Sequence, residues 1–162
     1  MPILNSNEIF FTPFEPKQSN RFILRMNNIP AFLIKGVSAV SATQTPVALN
    51  HMNVQRFVKG KTKWNKVDLT LFESITPSGA QAVMEWVRLH HESVTGRDGY
   101  SDFYKQNLTF QVIGPVGDVV SEWVLMGCII TDVDFGAYNY DDDGVAVNIK
   151  LSVQPDYAIL NF

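Results

Sequence analysis

The segment TDVDFGAYNYDDDGVAVNIKL, residues 131–151, places five aspartates between Asp132 and Asp143 and then alternates strictly between apolar and polar residues. Carboxylates at this density build calcium sites, two-metal nucleases and glycosidases. A helix–loop–helix calcium site reads D-x-[DN]-x-[DN]-G and closes with a bidentate glutamate at its twelfth position. Setting Gly144 on the loop glycine puts Asn139, Asp141 and Asp143 at the first three ligand positions, and the closing position then falls on Lys150, a cation. After Gly144, the residues Val145, Val147, Ile149, Leu151 and Val153 share one face, with Asn148, Lys150 and Ser152 on the other. That alternation predicts a half-buried strand. The preceding WVLMGCIITDV is apolar and rich in β-branched residues. The acidic run is therefore expected to be a turn between two strands, where Asp, Asn and Gly supply turn conformations.

Working outward, KWNKVDLTLFES alternates in the same way, with Val67, Leu69 and Leu71 against Asp68 and Thr70. NRFILRMNNIPAFLIKGVSAV predicts a hairpin: Phe22, Leu24 and Met26 alternate, Asn27-Asn28 turn the chain, and a second strand follows Pro30. TPSGAQAVMEWVRLHHES predicts the one helix, with Thr76 as N-cap, Pro77 at its first position, and Ala82, Val83, Trp86, Val87 and His90 facing inward. NLTFQVIGPVGDVVSEWVLMGCIITDV predicts another hairpin turned at GPVGD, whose second strand is apolar on both faces and so needs cover on both. About six strands and one helix, joined by hairpin connections, predict a mainly β fold: an antiparallel β-sandwich or open barrel with one flanking α-helix.

A chain of 162 residues is read as a single domain, 1–162, with an ordinary charged fraction of 18%. One cysteine, Cys128, excludes an intramolecular disulfide and reads as a small core residue. A net charge of −3 leaves no electrostatic footprint for gripping phosphates. The first twenty residues lack a basic start and a continuous apolar run, which predicts no signal peptide. No stretch approaches the length of a membrane span. Residues 1–20, with Phe10, Phe11 and Phe14, read as an extended N-terminal arm. Residues 42–62 have weak periodicity and read as a long loop, of a length that is usually functional.

Catalytic chemistry fails to assemble. KGKT at residues 59–62 resembles the end of a phosphate-binding loop, but Gln55 stands where that loop needs glycine and a strand follows. His90 and His91 are adjacent on a helix and point about a hundred degrees apart, so they cannot share a metal. Asp132 and Asp134 share a strand face, an arrangement that serves acid–base work but more often marks a solvated strand end. No catalytic, cofactor-binding or metal-binding residue is assigned, and the protein is not expected to be an enzyme. Two other readings are a small-ligand-binding β-barrel with an interior pocket and a hydrolase using Asp132 and Asp134.

The order of these segments resembles the tail tube proteins of contractile-tailed bacteriophages. NRFILRM and its hairpin, VQRFVKGKTKWNKVDLTLFES, the helix with AVMEWV, and GCIITDVDFGAYNYDDDGVAVNIKLSVQPDY carry the likeness over residues 19–160. The resemblance implies a sandwich subunit that forms hexameric rings, its strands joining those of neighbours into a ring-shaped barrel. The rings would stack into a tube inside a contractile sheath, start on a baseplate initiator, surround a tape-measure protein and conduct DNA without binding it. The protein would then reside in the tail of a virion assembled in the host cytoplasm. Type VI secretion tubes and contractile injection systems share the implied fold and remain the alternative. The expected contact between subunits lies in the 42–62 loop, at Val54, Arg56, Phe57, Val58, Lys59 and Lys61, where a basic segment of an acidic chain can meet its neighbour.

Overall fold

The longest strand, β7 (Val119–Asp134), belongs to both layers of the fold in the computed structural model, which describes residues 13–162. The first half of β7 pairs with β6 (Gln106–Ile113) on one edge and with β9 (Tyr157–Leu160) on the other. Its second half pairs with β8 (Asn148–Gln154). The halves meet at Gly127, whose φ of 62° is left-handed and where a Cβ would strike the Asp156 carboxylate. Register shifts flank this bend on both partners. A seven-stranded antiparallel sheet is thereby folded over on itself. Its order is β1 (Phe22–Arg25), β6, β7, β8, β5 (Val67–Phe72), β2 (Ile34–Val37), with β9 beside β7.

One core lies inside the fold. Leu24, Val67, Leu69, Leu71, Leu108, Leu125, Ile149, Leu151 and Val153 are all at most 1% exposed and pack as a single cluster. The expected alternation of β5 and β8 is present, and its cause is this one-sided burial. Side chains of this cluster occupy the space between the layers. The opposite face of β7, with Val120, Val124 and Met126, is only half-buried within the single chain. Among the described residues, no helix is long and apolar enough to cross a membrane.

Helix α1 (Gly79–His90) lays Val83 and Trp86 into the core. It starts later than the sequence predicts. Ser78, not Thr76, is the N-cap, its Oγ accepting from Gln81 N at 3.4 Å. Glu73 draws the start to that point by accepting from Ser78 Oγ and Ala80 N, each at 2.9 Å. His90 ends the helix with a defined tautomer: Nδ1 donates to Trp86 O at 2.9 Å, while Nε2 accepts from Ile130 N at 3.2 Å. A second, four-residue helix, α2 (Ser101–Tyr104), adds to the one helix that the sequence predicts.

Two further expectations are corrected. The Asn27-Asn28 turn exists, with Asn28 at φ 63° and a bridge between Met26 and Ile29, but it closes no hairpin. Pro30 offers no donor and a 3-10 turn, Ala31–Leu33, carries the chain away, so β1 pairs β6 and β2 pairs β5. Residues 42–62 are not a loop. They form most of a long hairpin, β3 (Ala42–His51) and β4 (Val54–Trp64), in register from Ala42↔Trp64 to His51↔Val54. The expected arm falls partly outside the described residues, including Phe10 and Phe11; residues 13–18 carry no helix or strand.

Burial pushes the Cys128 thiol up to about 12. The folded state therefore favours the protonated thiol, a contribution complete below the unfolded value of about 8.5 and lost as pH rises toward the folded one. A thiol reagent at pH 8 is expected to leave native Cys128 unmodified and to label it fully after denaturation. Rapid labelling of the folded protein, read by mass spectrometry, would contradict its place in the core.

Candidate assembly surface

The hairpin stands off the sandwich on a polar hinge. Asn65 N donates to Ser41 O at 3.0 Å, and its side-chain Nδ2 donates to Ser41 Oγ at 3.1 Å and Thr43 Oγ1 at 3.0 Å. Gln154 Nε2 donates to Trp64 O at 2.7 Å, tying the end of β4 to β8. Beyond this base the two strands pack mainly on each other, with a small approach of β4 to β9. Every residue of β3 is exposed, and on β4 only Gly60 and Trp64 are partly covered.

The register sorts the predicted contact residues onto two faces. Val54, Arg56 and Val58 lie on one side with Val47, Leu49 and His51 as their cross-strand partners. Phe57 and Lys59 lie on the other, opposite Ala48 and Pro46; Lys61 falls in the bulge, and Lys63, paired with Thr43 beyond it, returns to the Val54 face. Both faces expose apolar side chains: Leu49 is 53% exposed, Val54 57% and Phe57 63%. Residues 42–64 hold Arg56, Lys59, Lys61 and Lys63 and no carboxylate. None of these four enters an ion pair found among the described residues. An exposed two-stranded ribbon gains little by itself in water and presents open edges, so its physical sense is to pair or pack elsewhere. Gly60, the glycine of KGKT, abuts Thr45 O at the bulge of this hairpin, where a Cβ has no room.

The other candidates of the sequence fall apart or serve turns. Asp132 pairs with Lys66 at 3.2 Å, and Asp134 Oδ1 accepts from Gly136 N at 2.9 Å, both at a solvated strand end. The acidic run forms an exposed turn in which Asn139 Oδ1 accepts from Asp141 N at 3.1 Å. It belongs to a longer connection than the alternation implied, because β8 begins only at Asn148 and Val145 is 71% exposed. His91 turns outward to Asp98 at 2.7 Å, away from His90. Glu122 sits low for a carboxyl because Gln111 and Asn161 both donate to it, and Lys105 is raised by its bond to Asp156.

No family model and no curated protein matches the sequence. Solved structures do. The tube-terminating cap of an anti-feeding prophage matches with a TM-score of 0.75 at 10% identity, over 94% of this chain and 95% of that one. A chain of an extracellular contractile injection system, solved as a sheath–tube complex in the extended state, matches with 0.71 at 12% identity, over 90% and 91%. Hcp1 from Flavobacterium johnsoniae matches with 0.54 at 8% identity, over 87% and 94%. The chain has the fold that these proteins share.

Proposed function

We propose that the chain is a structural subunit of a contractile-tail tube, forming hexameric rings that stack into a hollow conduit. The observation that carries this reading is the projecting hairpin, whose two exposed apolar faces, and four cations that enter no ion pair among the described residues, have no place in an isolated monomer. The fold shared with tube and cap proteins across nearly the whole chain supports it. Within this reading Val54, Arg56, Phe57, Val58, Lys59 and Lys61 make the contact between subunits, and the half-covered face of β7 and the open sheet edges meet neighbours in the ring. The finer assignment is the major tube subunit of a phage tail. It would be enclosed by a sheath, started by a baseplate initiator, filled by a tape-measure protein and traversed by DNA during ejection. A tube inside an injection or type VI secretion system uses the same subunit logic. The role is mechanical, and no residue is assigned to catalysis.

Purified protein is expected to form rings or tubes, visible by electron microscopy, at high concentration or when seeded by a baseplate. Assembly that adds a single ring and then stops would assign the chain to a terminating cap. A monomer that never assembles, even when seeded, would end the tube reading.

A further inference from the structure

We infer that the hairpin of one copy docks in a groove at the far end of the next copy, between α1 and the acidic connection that follows β7. This rests on the tube reading and adds to it the acceptor. The groove encloses about 930 Å³ and opens to solvent. Ile75, Met84, Phe135 and Tyr138 supply its apolar lining, and Glu73 and Glu85 its carboxylates. Ile75 is fully exposed and Tyr138 is 79% exposed, so apolar surface lies bare here as it does on the hairpin. Arg88 is the cation of this lining. Asp141, Asp142 and Asp143 stand exposed on the same connection as Tyr138.

The strand register places donor and acceptor at opposite ends of the molecule. β5 and β8 pair from Val67↔Val153 to Phe72↔Asn148. The hairpin base, at Trp64 and Asn65, lies beside the Val67 and Gln154 end. The groove, at Glu73, Ile75 and Val147, lies beyond the Phe72 and Asn148 end. Six residues of strand separate the two, roughly 20 Å. Along its length the hairpin is exposed and does not lie back on its own sheet. A projecting element at one end and a recess at the other make a heterologous contact, which closes into rings or continues as a stack of identical units.

Charge selects the face that enters. Phe57 shares its face with Lys59, and Lys61 follows in the bulge, so one side of β4 offers an aromatic ring beside an ammonium group. The groove offers the complement: an apolar lining, Glu85 on the helix and the aspartates on the adjoining connection. Opposed potentials steer the encounter and fix the register, while the buried ring supplies most of the affinity.

Two single-cysteine additions test this in the full chain, since native Cys128 is fully buried. Copies with Lys59→Cys are mixed with copies carrying Glu85→Cys and treated with a short bismaleimide. The control partner carries Val116→Cys, in the exposed β6–β7 turn. Docking makes the reaction effectively intramolecular, so the expected yield of cross-linked heterodimer is about tenfold or more above the control. Electron microscopy of the untreated wild type runs beside it. Tubes without a selective cross-link would overturn the groove and keep the tube. A selective cross-link without tubes would keep the groove and overturn the tube. Absence of both would overturn the two together.

Discussion

Replacing Trp86 by alanine is expected to cost the isolated subunit about 3–5 kcal/mol of stability, the range for removing a large buried aromatic side chain. Trp86 is 3% exposed and stands at the junction of α1, α2 and the core cluster. Its Nε1 donates to Tyr104 O at 2.7 Å, and Tyr104 in turn stacks on His90 with ring centroids 4.5 Å apart. Alanine therefore leaves a cavity and an unpaired carbonyl at once. For a chain of this size about 2–4 °C of melting temperature accompany each kcal/mol, so the shift is roughly 6–20 °C. Trp86→Phe keeps most of the packing and loses the donor, and its cost is expected to be smaller, about 1–3 kcal/mol. The measurement belongs in dilute, unassembled protein, because assembly makes apparent stability depend on concentration. A loss below about 1 kcal/mol for the alanine variant would mean that the helix does not close the core.

One-sided burial decides how much of this fold is legible in the sequence. Val67, Leu69 and Leu71 on β5, and Ile149, Leu151 and Val153 on β8, alternate because one face is buried and the other is not. Val83 and Trp86 mark the helix by the same contrast. The β3–β4 hairpin lacks that contrast, since its own chain buries neither face. Its apolar residues do alternate, at Val47 and Leu49 and again at Val54 and Val58, but Arg56 interrupts the β4 row and a bulge at Gly60 and Lys61 then breaks that strand's alternation. Its two-residue connection was also disguised. Met52 takes the left-handed conformation, φ 50°, at a position where glycine or asparagine is the usual signal. Pairing partners were harder still. Nothing local distinguishes β2 beside β1 from β2 beside β5, because that choice is made by the whole core. The candidate contact residues were found by charge and by exposed apolar character, and the register then divided them between two faces.

That division sharpens the largest expected functional effect, which follows from Arg56→Glu combined with Phe57→Ala. The two residues are neighbours in sequence and project from opposite faces of β4. One double change thus reverses a charge beside Val54 and Val58 and removes the aromatic anchor beside Lys59. Both side chains are exposed, Phe57 by 63%, and neither touches the core cluster. The far-UV spectrum and the melting temperature of the dilute subunit are therefore expected to stay as in the wild type. Burying a phenylalanine contributes about 1.5–3 kcal/mol, and an inverted charge in a complementary contact removes more. Each 1.4 kcal/mol is a factor of ten in the concentration at which copies associate, so assembly is expected to shift by roughly a hundredfold or more. At the wild-type concentration the tubes should be gone, as judged by electron microscopy and sedimentation. The single variants separate the faces. If only Phe57→Ala raises the assembly concentration, the face of Phe57 and Lys59 is the joint and the Val54 face is merely solvated. If the double variant forms tubes at the wild-type concentration, the hairpin is not the joint at all.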